Sequence, residues 1–133
     1  MIKLKDILFE SELPDIFIPR KLQDRAEYLI KDYVRNGNKG SLSLKNLNLT
    51  ELPEILKNVS VSGYFNCSDN ELINLKNSPK SVDGFFACYY NNLTSLEGCP
   101  KFVGGDFYCF KNRVQFTESD VRAVCNVKGN IIV

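Results

Sequence analysis

The chain has 133 residues, of which 44% are hydrophobic and 25% charged, with a net charge of +1. That suffices for one domain with one core and offers no broad electrostatic attraction to nucleic acid or an anionic membrane. Histidine is absent, which removes the usual general base near neutral pH, the usual partner of a Ser or Cys nucleophile and the commonest metal ligand.

From the N-terminus, Met1-Ile2-Lys3-Leu4-Lys5-Asp6 is too interrupted by charge for a secretory signal. No later run approaches the roughly 18 consecutive apolar residues of a membrane helix. The expectation is a soluble, intracellular chain. Leu4, Ile7, Leu8 and Phe9 suggest a short helix ending at Pro14. The strongest helix signal covers residues 19–35, where Leu22, Ala26, Leu29, Ile30, Tyr33 and Val34 recur at helical spacing. Pro19 suits its start and Asn36-Gly37 its stop.

Beyond residue 40 the chain repeats. Gly63, Gly84 and Gly105 lie 21 residues apart, as do Phe65, Phe86 and Phe107, then Cys67, Cys88 and Cys109, then Asn70, Asn91 and Asn112. Leu72, Leu93 and Val114 keep the same step, Pro79 matches Pro100, and Val82 matches Val103. Gly40-Ser41-Leu42-Ser43-Leu44 and Gly129-Asn130-Ile131-Ile132-Val133 extend the pattern at spacings of 23 and 24 residues, giving five strand positions. One such coil cannot bury both its strand and its return segment, so the coils must stack. The motif resembles the leucine-rich-repeat consensus, with the Asn of each coil expected to satisfy turning backbone and to stack as a ladder. Leu47 occupies the Asn position of the first coil, so the ladder should begin at Asn70.

The fold expected is therefore α/β: a short leucine-rich-repeat solenoid with a parallel sheet of about five strands. Residues 1–39 would form an N-terminal helical cap, 40–116 the repeats and 117–133 a C-terminal helix–strand cap, all one structural domain. In the last cap a helix should run from Thr117 to Cys125, with Thr117 as N-cap and Asp120 a weaker reciprocal partner than Glu or Gln.

Strand alternation turns the Phe and Cys positions inward and presents a second set to the open side of the sheet. That set is Ser41, Ser43 and Lys45; Tyr64, Asn66 and Ser68; Phe85, Ala87 and Tyr89; Asp106, Tyr108 and Phe110; and Asn130 and Ile132. Tyr64, Phe85, Tyr89, Tyr108 and Phe110, with Asn66 and Asp106 among them, make a candidate protein-binding surface, because aromatics are enriched at interface hot spots. The competing reading is that aromatics favour β-strands and pair across them. Stacking of nucleic-acid bases would need basic residues beside the aromatics, and only Lys45 and Lys111 are obvious.

The five cysteines suit neither a disulfide framework, being odd in number, nor zinc, lacking close ligand pairs. Cys67, Cys88 and Cys109 read as core, and so do Cys125 and Cys99, the last with partial exposure. Glu71, Glu97, Glu118 and Asp120 have simpler roles as surface or cap residues than as an acid–base pair. No catalytic residue, cofactor or metal site is nominated, and the chain is expected not to be an enzyme.

Leu93-Thr94-Ser95-Leu96-Glu97-Gly98-Cys99-Pro100 followed by Val103-Gly104-Gly105-Asp106-Phe107 resembles the repeat unit of small leucine-rich-repeat proteins of tailed, T-even-like bacteriophages. The opening Leu4–Glu10 with Ile18-Pro19-Arg20, and the ending Phe116–Glu118 through Val124–Gly129, are similar to the same proteins. The resemblance implies a phage protein acting in the host bacterial cytoplasm, or in the virion, and binding a host or phage protein. It brings no catalytic residues. In T-even-type phages, packaged head proteins lose an N-terminal peptide after (Ile/Leu)-x-Glu. Leu8-Phe9-Glu10 fits that pattern, so a structural or packaged internal protein cleaved after Glu10 is the alternative, beside a short capping helix. Self-association through the aromatic face also stays open.

Overall fold

A computed structural model describes residues 22–133. The short helix expected from Leu4 to Pro14, the helix start at Pro19 and the Leu8-Phe9-Glu10 sequence lie outside the described residues. The elements are helix α1 (Leu22–Arg35), nine two-residue strands and helix α2 (Glu118–Arg122). The strands are β1 (Leu42–Ser43), β2 (Ser60–Val61), β3 (Phe65–Asn66), β4 (Ser81–Val82), β5 (Phe86–Ala87), β6 (Phe102–Val103), β7 (Phe107–Tyr108), β8 (Asn126–Val127) and β9 (Ile131–Ile132). They form two parallel sheets, one ordered β1-β3-β5-β7-β9 and the other β2-β4-β6-β8. The described residues form a short repeat solenoid of parallel strands.

Five strands in one parallel sheet match the five positions expected from the repeat, in the expected register: Leu42, Phe65, Phe86, Phe107 and Ile131 stand opposite one another. The second sheet is new. Its strands carry Val61, Val82, Val103 and Val127, all buried. The Val82–Val103 spacing reported this sheet, but a two-residue strand holds too little alternation to be distinguished from a turn. A 3-10 turn at Glu54–Asn58, following Leu52-Pro53, was likewise not expected.

Each coil runs up the β2-type strand, turns at a glycine and continues into the β1-type strand. Gly40, Gly63, Gly84, Gly105 and Gly129 stack, and from Gly63 onward each N–H donates to the glycine carbonyl of the preceding coil at 2.7–3.0 Å. A Cβ on Gly84 would lie 2.8 Å from the backbone of Gly63 and Tyr64. Close approach between coils, rather than an unusual torsion, therefore demands glycine there. Inside the coils Phe65, Phe86 and Phe107 are fully buried, with successive ring centroids 5.7 and 5.1 Å apart. Each such ring contributes roughly 1.5–3 kcal/mol by leaving water.

The asparagine ladder begins at Asn70, as expected, but it links side chain to backbone rather than amide to amide. Asn70 Oδ1 accepts the Leu47 and Leu49 N–H groups, and its Nδ2 donates to the carbonyls of Leu44, Cys67 and Ser68. Asn91 accepts from Leu72 and Asn112 from Leu93, each also donating into the coil before it. The ladder residue thus joins every regular coil to its predecessor.

At the N-terminal end α1 buries Ala26, Ile30 and Tyr33 against the first coil. The Tyr33 hydroxyl accepts the Ser62 N–H at 3.1 Å and lies 2.8 Å from Gly40 O. Leu22 and Val34, assigned to the same apolar stripe, stand exposed, because a single flat coil end covers only a narrow strip of a helix. The helix ends at the expected place, with Gly37 and Asn38 in left-handed conformations. At the other end Thr117 caps α2, and Asp120 reciprocates fully: Asp120 Oδ2 accepts the Thr117 N–H at 2.9 Å. This helix closes at Arg122 rather than Cys125. Arg122 then donates to the Val127 and Gly129 carbonyls, drawing the chain back toward β8 and β9.

Candidate functional site

Across the open side of the five-stranded sheet, the central row reads Ser43, Asn66, Ala87, Tyr108, Ile132. Phe85 and Tyr89 flank Ala87 along the chain, so two large rings straddle one methyl group. The rings fall into two groups. Tyr64 stacks on Phe85 at 4.4 Å, and Phe85 meets Tyr108 edge-on at 5.6 Å. Tyr89 stacks on Phe110 at 4.7 Å, with Tyr90 edge-on to both. Offset and edge-on pairs of this kind contribute about 0.5–1.5 kcal/mol each beyond area burial.

Between the groups lies a cleft of about 560 Å³ lined by Asn66, Phe85, Tyr89, Tyr90, Tyr108, Phe110 and Ile132. Of the seven nominated binding residues it brings together Asn66, Phe85, Tyr89, Tyr108 and Phe110. Tyr64 is stacked on the far side of Phe85 and does not line it. Asp106 does not line it either: one carboxylate oxygen accepts the Asn130 N–H at 2.8 Å and the other the Tyr108 hydroxyl at 3.2 Å. Asp106 therefore ties β9 to the sheet and steadies Tyr108. Ala87 and Ser68, assigned by alternation to the open face, are fully buried. The rings around Ala87 overtop it, and the Ser68 hydroxyl is captured by Asn66 Oδ1 at 2.6 Å.

Asn66 is the cleft's polar group. Its Oδ1 accepts both the N–H and the hydroxyl of Ser68, which holds the amide in place. Nδ2 makes no hydrogen bond among the described residues and is available to an incoming acceptor. The remaining polar groups are the phenols. Partial desolvation, followed by the hydrogen bond to Asp106 and its charge, holds the Tyr108 phenol above its ordinary pKa. No ammonium or carboxylate lines the cleft. Lys45 is turned to Asp69, 3.8 Å away.

Tyr90 was missed by sequence reasoning. It occupies a coil position, just before the ladder residue, that adopts positive φ in every coil: Asn46 at 59°, Asp69 at 58°, Tyr90 at 53° and Lys111 at 58°. Asn and Asp tolerate that region, whereas a bulky aromatic does so at a cost. Here the torsion throws an exposed ring onto the rim of the cleft. The signal was a fixed position within the repeat, but its left-handed torsion cannot be read from a tyrosine.

All five cysteines are free and buried. Burial pushes the Cys67 and Cys88 thiols far up and Cys109 to about 11. Cys99 is buried like the others rather than partly exposed. Its thiol donates to the Val124 carbonyl at 3.8 Å, and the neighbouring Cys125 thiol holds Cys99 below the ordinary thiol range while Cys125 is raised. Among the described residues no three His, Cys, Asp or Glu side chains gather as metal ligands, and no helix is long and apolar enough to cross a membrane. Comparison with protein-family models, with curated proteins and with solved structures finds no match for the chain.

Proposed function

We propose that this chain is a non-enzymatic protein-interaction module that captures its partner in the aromatic cleft of the five-stranded sheet. One observation carries the reading: Tyr90 is held at φ 53° with its ring on the rim of that cleft. A strained aromatic costs stability without adding core, and such strain clusters where a ligand is held. The partner presents an apolar or aromatic anchor side chain that enters between Phe85 and Tyr89, and a carbonyl that accepts from Asn66 Nδ2. A protein suits this surface better than a nucleic acid, whose phosphates would need cations beside the rings. The resemblance of the repeat to small phage proteins makes a host or phage protein the expected partner, inside the infected bacterium.

The test is affinity purification of the tagged chain from phage-infected cells, beside a Tyr89→Ala/Tyr108→Ala variant. A single stoichiometric protein should be recovered with the parent and lost with the variant, whose circular dichroism should still report a folded chain at the assay temperature. Equal recovery with both proteins would refute the assignment of the cleft.

A further inference from the structure

A second cleft lies away from the aromatic face, at the entry to the four-stranded sheet. It is an open cleft of about 710 Å³, and its wall carries four lysines, Lys57, Lys76, Lys80 and Lys101, with one carboxylate, Glu97, among them. For a chain whose net charge is +1, this is a strong local concentration. Lys80 and Lys101 precede β4 and β6, whose register sets them directly opposite each other, and Lys101 N–H donates to Lys80 O at 3.3 Å. Their stems therefore start about 4.8 Å apart on adjacent coils. Like charges at such positions destabilise a sheet. Neither ammonium has an ion-pair partner among the described residues. The other two are weakly neutralised: Lys57 pairs with exposed Glu54, and Lys76 sits 3.8 Å from exposed Glu97.

We infer that this cleft binds a small molecule carrying a diphosphate group. Two or more negative charges in one compact group relieve the Lys80–Lys101 repulsion and leave charge for Lys57 and Lys76. Lysine supplies this as a mobile point charge and needs no planar geometry. The cleft exceeds a bare phosphate in size and falls in the range of small-molecule sites. Pro79, Leu96 and Val124 line it beside the lysines and give the uncharged body of the ligand an apolar wall. This site does not depend on the aromatic cleft.

The probe is ADP, with adenosine and sodium chloride of matched ionic strength as controls, followed through backbone amide resonances of the full chain. ADP should shift Lys80, Gly98 and Lys101 saturably, and adenosine should not. A Lys80→Gln/Lys101→Gln variant should bind ADP at least tenfold more weakly. Without ligand at low salt it should melt no lower than the parent, because it loses a repulsion. Equal shifts with adenosine, reproduction by salt alone, or undiminished binding in the double variant would each overturn the inference.

Discussion

Removing the ladder amides should cost stability in an order that the hydrogen bonds dictate. Asn91 donates to the carbonyls of Cys67 and Cys88, but Asn70 also serves the first and Asn112 the second. Asn91→Ala therefore orphans chiefly one buried group, the Leu72 N–H, at about 1–3 kcal/mol. Asn70 has no ladder neighbour on its N-terminal side, because Leu47 fills that position. Its loss orphans the buried Leu49 N–H and Leu44 carbonyl, and with them the half-buried Leu47 N–H. Two buried groups and one that water can reach amount to about 2–5 kcal/mol, a large part of the roughly 5–15 kcal/mol that holds a domain together. Asn112 is the last rung, so its loss orphans the Leu93 N–H and the Cys109 carbonyl, but it is half-buried and water can replace part of what it supplies, which places its cost below that of Asn70. Urea unfolding monitored by circular dichroism measures all three, with unchanged slope as the sign that only stability moved. At this chain length each kcal/mol corresponds to about 3–6 °C in melting temperature. An Asn91→Ala loss equal to or greater than that of Asn70→Ala would refute the argument that the ladder's first rung carries the larger share.

Gly84→Ala should destabilise by more than about 2 kcal/mol in the same assay, since the added methyl meets backbone 2.8 Å away that neighbouring coils hold in place. Tyr90→Asn should change the melting temperature by less than about 4 °C, because relief of about 1–2 kcal/mol of left-handed strain offsets the lost ring contacts. Partner capture should nevertheless fall, and a variant that captures as well as the parent would remove Tyr90 from the interface. Stability should also decline at alkaline pH. The fold keeps Cys67, Cys88 and Cys109 as neutral thiols, so the native chain binds more protons than the unfolded one above the ordinary thiol range. Their contribution is complete below about pH 9 and is lost as pH rises toward about 11 at Cys109. Melting temperature measured from pH 8 to 11 should fall more steeply for the parent than for Cys67→Ala/Cys88→Ala, which retains every tyrosine. Identical slopes would acquit the thiols.

What the sequence by itself determined was the repeat, its five-stranded sheet and the inward-facing residues of that sheet. The 21-residue step of Gly, Phe, Cys and Asn implies stacked coils, because each of those residues serves the same contact one coil further on. The odd spacings at Gly40 and Gly129 marked the ends, and period-2 alternation separated buried Phe86 and Cys88 from Phe85 and Tyr89 on the open face. Tertiary structure alone decided what depends on neighbours of unequal size and on backbone torsion. Ala87 is buried because the rings beside it rise above it, which makes a cleft out of an otherwise flat face. Tyr90 joins that cleft through a left-handed turn that its side chain would not suggest, and Asp106 leaves it because Asn130 and Tyr108 occupy its carboxylate. The four lysines gather only when coils stack, since Lys57 and Lys101 lie 44 positions apart in the chain. Periodicity reports which residues share an environment; the shape and charge of that environment come from packing.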